Sequence, residues 1–239
     1  MNREYRRWHS PGLNREMELL VVGHAGAPVL VFPTSKGRFY EWEDRGMLGL
    51  FRRQVENGWL QFYCVDSVDE ESWYRRRAHP GARAYRQTQY DDYLYHEVLP
   101  LVRHLNPNPF LITAGASFGA YHAMNFGVRH PDAVRRVIGL SGVYDIRRWA
   151  EGFRGEHVYL NNPIQLVGGE RDPHRLSLLR RMDIIMATGR EDRLIGSARE
   201  MSRVLWSKAV GNALREWDGW AHDWDYWRRM LTLYIDGHD

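Results

Sequence analysis

Residues 115–119 read Gly-Ala-Ser-Phe-Gly; they close the apolar, β-rich run 110–116 and pass at once into helix-forming sequence. A tight turn from strand to helix strains the backbone of its central residue and leaves no room for side chains two positions to either side. Gly115 and Gly119 meet that demand, and Ala114, Ala116 and Ala120 keep the turn slim. The Ser117 hydroxyl is thereby lifted clear of the backbone, where it can act as a nucleophile. The following helix begins with unpaired N–H groups and a partial positive charge, so the Phe118 amide is placed to stabilise an oxyanion. The competing reading is a glycine-rich turn that serves packing alone.

Such a turn has to be held by a sheet. Apolar, β-rich runs lie at 16–22, 29–33, 60–66, 110–116, 135–141, 183–188 and 213–217, and an alternating run at 3–9 adds an eighth. Segments of 3.6-residue periodicity, expected as helices, lie at 40–57, 88–105, 118–129, 197–210 and 223–234. In the second of these, Tyr90, Tyr93, Leu94, Val98, Leu101 and Leu105 form one apolar stripe. Strand and helix in alternation predict an α/β fold: a mainly parallel sheet of about eight strands with helices on both faces. The runs 16–22 and 29–33 are joined too closely for a crossover helix and are expected to pair antiparallel. Ligands of such sheets bind beyond the carboxyl ends of the strands.

With 239 residues, 44% hydrophobic and 26% charged, the chain has the composition of a water-soluble protein, and one domain over 1–239 is expected. The longest apolar stretch, 19–32, is broken by Gly23, His24, Gly26 and Pro28, which excludes a membrane-spanning helix there. The first residues are basic but lack a following apolar core, so a cytoplasmic setting is expected. The single cysteine, Cys64, falls in the apolar run 59–65 and reads as packing. A net charge of +3, with acids and bases interspersed, argues against nucleic-acid binding despite the cluster Trp73-Tyr74-Arg75-Arg76-Arg77. Asp66, Asp69 and Glu70 are carboxylates at loop spacing without histidine or thiolate, so no metal is expected. No G-x-G-x-x-G follows a strand, and no cofactor is expected either.

Gly115 to Gly119, within its strand and helix, resembles the nucleophile elbow of α/β-hydrolases. The segments 28–35, 64–67, 71–73, 140–145 and 219–224 are similar to those of the esterase branch that includes esterase D and enterochelin-esterase-like proteins. The resemblance spans nearly the whole chain and implies the order serine, acid, histidine for a catalytic triad.

A serine at its free pKa needs a base to take its proton and an acid to orient that base. Candidate bases after Ser117 are His130, His157, His174, His222 and His238. His222 is favoured because it directly follows the last strand-like run, whereas His130 opens a turn and His238 sits at a fraying end. A surface-loop histidine paired with a carboxylate is the bland alternative. For the acid, Asp192 leaves the run 183–188 through a short glycine-containing turn, and the resemblance favours it over Glu191. Asp172 is the rival, in a segment that reads as loop. The second oxyanion donor is expected by position in 34–37, as the Ser35 amide rather than that of Thr34. Trp73 and Trp220, both in loops, are expected to line the substrate pocket, while Trp224 and Trp227 are expected in the core.

The expected activity is hydrolysis of small carboxylic esters through an acyl-enzyme on Ser117. Acyl transfer to an alcohol uses the same residues, and a non-catalytic binding protein that retains the fold is the alternative from another class.

Overall fold

The computed structural model describes residues 1–237, so His238, weighed above as a base, lies outside it. The strands are β1 (Arg3–Ser10), β2 (Arg15–Val22), β3 (Ala27–Phe32), β4 (Leu60–Val65), β5 (Leu111–Ala116), β6 (Val134–Leu140), β7 (Asp183–Gly189) and β8 (Ala213–Trp217). They form one sheet in the order β1-β2-β4-β3-β5-β6-β7-β8. From β4 to β8 the neighbours run parallel, while β1 and β2 close the other side antiparallel. Every residue of β4 and β5 is buried, as strands covered on both faces must be.

β2 and β3 do not pair with each other, which corrects the expectation for the short connection between them. β2 lies antiparallel against β4, and β4 separates it from β3. The connecting turn passes directly over the entry to β4. A β-carbon on Gly26 would stand 2.1 Å from the Trp59 carbonyl carbon, and Gly26 itself has φ +99°. Glycine lets the chain step across a strand within four residues.

The helix Phe118–Arg129 coincides with its predicted span. The helix expected over 88–105 begins earlier, at Pro80, where His79 caps the first turn and proline occupies the first helical position. It continues through a π-turn at Leu94–Val98 to Leu105. The helix expected over 40–57 is broken into Glu41–Asp44, a 3-10 turn at Leu48–Phe51, and Arg52–Glu56. Gly46, at φ +71°, turns the chain between the first two pieces. The segment between β6 and β7 holds four short helices that periodicity did not reveal: Arg147–Ala150, Glu156–Leu160, Pro163–Gly169 and Pro173–Leu179.

Two apolar layers flank the sheet. One packs the helices Phe118–Arg129 and Ile195–Ser207 and the Tyr90, Tyr93, Leu94 and Val98 stripe against one face. The other packs Trp42, Phe51, Trp227, Met230 and Leu231 against the opposite face. Cys64 is buried in the second layer, and burial pushes its thiol up, so it is inert packing. No helix among the described residues is long and apolar enough to cross a membrane.

Candidate active site

β5 delivers Ser117 directly to the start of the helix Phe118–Arg129. Ser117 has φ +55° and ψ −116°, a conformation that side-chain-bearing residues rarely hold. Its N–H donates to the Leu140 carbonyl at 2.8 Å, which ties the turn to the end of β6. The flanking glycines are sterically required. A β-carbon on Gly115 would lie 2.2 Å from the Gly119 carbonyl carbon, and one on Gly119 would lie 2.5 Å from the carbonyl oxygens of Phe32 and Pro33. The second contact also brings the loop after β3 against the start of this helix.

The structure brings Ser117, His222 and Asp192 together. His222 Nε2 is 3.1 Å from Ser117 Oγ, and His222 Nδ1 is 2.9 Å from Asp192 Oδ2. With Nδ1–H donating to the carboxylate, Nε2 presents its lone pair to the hydroxyl. Asp192 is 2% exposed, yet its oxygens are satisfied: Oδ1 accepts the Leu194 amide at 2.9 Å and Oδ2 the Thr188 hydroxyl at 3.3 Å. A buried carboxylate persists only with partners of this kind. Burial first, and the Asp192 charge second, push the neighbouring Tyr144 phenol up.

The loop that carries His222 is clamped from below. The Ser141 hydroxyl donates to the Ala221 carbonyl at 2.8 Å and accepts the Trp227 indole N–H at 3.0 Å. Trp227 also sets its ring edgewise to the His222 imidazole, with centroids 5.3 Å apart. Ser141 carries no sequence signal for this role beyond its place just after the carboxyl end of β6. Trp227 is buried in the core, as expected, and also borders the imidazole.

The loop 34–37 is held by its own bonds. The Thr34 amide donates to Glu41 Oε2 at 2.7 Å, the Gly37 amide to the Thr34 carbonyl at 2.8 Å, and the Lys36 amide to Asp69 Oδ2 at 2.8 Å. Among the described residues, no acceptor takes the Ser35 amide. The Ser35 hydroxyl bonds with the Tyr74 hydroxyl at 2.7 Å. Burial raises the Tyr74 phenol, against the effect of that bond.

Other expected residues fall elsewhere. Asp172 caps the helix Pro173–Leu179, accepting the His174 amide, and is exposed. The Asp-Pro pair is itself a helix-start signal, and Asn162-Pro163 is another. Trp73 does not line a pocket: it is fully buried beside Phe118 and Tyr121, its indole donating to the Tyr121 hydroxyl at 2.9 Å. Loop residues are buried when they close a core from above, which periodicity cannot register. Trp220 does stand at the site, 43% exposed, with its ring 5.5 Å from the His222 ring. The acids after β4 are taken up by basic side chains: Asp66 pairs with Arg38, Glu71 with Arg15 and Arg86, and Asp69 with His122. Trp149 packs on the Phe118 ring at 5.4 Å and borders a recess of about 320 Å³ lined also by Val143, Arg148, Ile164 and Leu194.

His122 also follows Ser117 in the chain but was not among the candidate bases. It lies five positions along the same helix, about 140° around it, and its ring is turned away into the interior.

The profile of the Esterase family, described as "Putative esterase", matches residues 63–234. Comparison with curated proteins finds no match. Among solved structures, a ferulic acid esterase superposes with a TM-score of 0.77 at 19% identity, covering 98% of this chain and 96% of its own. An S-formylglutathione hydrolase from Agrobacterium tumefaciens gives 0.73 at 16% identity, covering 98% and 92%. One from Staphylococcus aureus gives 0.69 at 17%, covering 98% and 97%. These likenesses establish the fold, an α/β-hydrolase sheet with its helices. Because the family profile covers well over half of its length, the chain belongs to the Esterase family.

Proposed function

We propose that this chain, acting as a single domain over 1–239, hydrolyses small carboxylic esters through an acyl-enzyme on Ser117. The observation that carries the reading is the 3.1 Å approach of His222 Nε2 to Ser117 Oγ, backed by Asp192 at 2.9 Å.

His222 takes the proton as Ser117 Oγ attacks the ester carbonyl, and Asp192 holds the resulting imidazolium. The tetrahedral oxyanion is received by the amides of Phe118 and Ser35. The carbon–oxygen bond to the alcohol then breaks, and His222 returns its proton to the leaving oxygen. Water repeats the sequence on the acyl-enzyme, releasing the acid and restoring the serine. Ser35 is preferred to Thr34 because the Thr34 amide is already committed to Glu41. Trp220 and the recess beside Trp149 offer apolar walls to the two halves of the ester. The chemistry calls for no metal, cofactor or nucleic acid. The cytoplasm is the proposed setting.

A fluorophosphonate probe tests the reading. Covalent labelling of Ser117 in folded protein, lost on heating and absent in His222→Ala, is expected, together with turnover of an activated aryl ester. An unlabelled, folded protein without turnover would point to the non-catalytic alternative. Turnover that appears only with an added alcohol acceptor would point to acyl transfer.

A further inference from the structure

A second histidine and aspartate meet beneath the first pair. His122 Nε2 lies 2.8 Å from Asp69 Oδ1, and the two side chains are 1% and 0% exposed. The other Asp69 oxygen accepts the Lys36 amide at 2.8 Å, the residue directly after Ser35. On the far side of the ring, His122 Nδ1 faces the Gln87 side-chain amide at 3.3 Å, and the Gln87 oxygen accepts the Ser72 hydroxyl at 3.3 Å. The chain of donors runs one way: Ser72 to Gln87, Gln87 to His122, His122 to Asp69, with the Lys36 amide closing on the same carboxylate.

Two members of this chain adjoin the residues that carry the oxyanion donors: His122 meets Phe118, and Lys36 directly follows Ser35. His122 rides on the helix that begins with Phe118, and the Phe118 ring meets it edgewise at 5.2 Å. Phe32 stacks on the imidazole at 5.9 Å, and Tyr90 meets it edgewise at 5.4 Å, so the ring is packed among aromatic neighbours. Lys36 has φ +59°, so the loop that carries Ser35 is not in a relaxed conformation. An acceptor at the Lys36 amide is what holds it there.

We propose that Asp69 and His122 are positioning residues that fix the spacing between the Phe118 and Ser35 amides. This rests on the oxyanion reading given above. Neither residue touches the reacting atoms. Their effect is exerted on the transition state, because donors aimed at the oxyanion bind the ground-state carbonyl less well.

The test uses the intact chain and an activated aryl ester, with the active-site concentration titrated on separate aliquots so that rates refer to each folded, reactive site. Asp69→Ala is expected to lower kcat about 10- to 100-fold with KM within about twofold, since small misplacements of a donor cost that much. Affinity for a boronic acid that forms a tetrahedral adduct on the serine should fall by the same factor. Asp69→Asn keeps an acceptor for Lys36 and should recover part of the rate. His122→Phe keeps the aromatic packing and should show the same kcat-specific loss, which serves if Asp69→Ala does not fold. Unchanged kcat per titrated site in these variants overturns the proposal, as does a loss confined to KM or to the folded fraction. Ser117→Ala, run alongside, separates the outcomes: activity surviving there removes the serine reading itself, whereas activity surviving only in the Asp69 and His122 variants removes the positioning role alone.

Discussion

Gly189 and Trp220 meet so closely that no side chain fits between them: a β-carbon on Gly189 would lie 2.3 Å from the Trp220 carbonyl oxygen. The carboxyl end of β7 and the loop after β8 therefore pack backbone to backbone, with the Glu191 amide donating to the Gly219 carbonyl at 3.0 Å. Asp192 leaves one of these segments and His222 the other. Their alignment at 2.9 Å is a consequence of that contact.

Gly189→Ala should accordingly push the His222 loop away from Asp192 and Ser117. A displacement of about 1 Å costs on the order of a hundredfold in rate. The expected result is a large fall in kcat in a protein that still folds, read by aryl-ester turnover and circular dichroism. Unaltered kcat would show that the loop can shift without disturbing the pair.

Ser117→Ala and His222→Ala should each reduce turnover by about four to six decades while the thermal midpoint stays close to that of the parent. Ser117→Gly should be equally inactive but more stable, by about 1 kcal/mol, because glycine holds a positive φ without the strain paid by serine. Thermal unfolding of the three variants distinguishes the backbone strain at Ser117 from the chemistry proposed for it.

The two loop tryptophans should part company on mutation. Trp220→Ala removes an exposed wall beside His222, so KM should rise several-fold with stability within about 0.5 kcal/mol of the parent. Trp73→Ala empties a buried site and removes one of the two hydrogen bonds of the Tyr121 hydroxyl, which keeps its bond to the Asn161 carbonyl, costing about 3–5 kcal/mol. Steady-state kinetics and denaturant titration on both variants check this.

Acid should weaken the connection after β6. Desolvation opposes ionisation of Asp145, but its bonds to Arg147 and Asn162 outweigh that and hold its carboxyl below the usual range. A carboxylate lowered on folding adds stability above its unfolded pKa of about 3.9, and that stability is lost as pH falls through the lower folded value. Asp145→Asn should thus be less stable than the parent at pH 6, and the gap should narrow below about pH 4. Thermal midpoints measured across that range test the sign.

Local chemistry made part of this protein legible in one dimension. Gly115, Ser117 and Gly119 announce a strand-to-helix turn because only small residues fit such a turn, and β-branched runs announce strands because their side chains suit a pleated surface. The order of Ser117, Asp192 and His222 followed from a resemblance, and the three residues lie beyond the carboxyl ends of β5, β7 and β8. Pairing was not legible. β2 is close to β3 along the chain but lies beside β4, since strand neighbours are joined by edge-to-edge backbone hydrogen bonds between segments that can be far apart in sequence. Burial of loops was not legible either: Trp73 and Trp220 look alike in sequence, and only packing puts one in the core and the other at the rim. The pair His122 and Asp69 is the strongest case. The two residues are 53 positions apart, one reading as an ordinary helical histidine and the other as a solvated loop acid. Their contact exists only because the helix after β5 and the loop after β4 descend onto the same edge of one sheet.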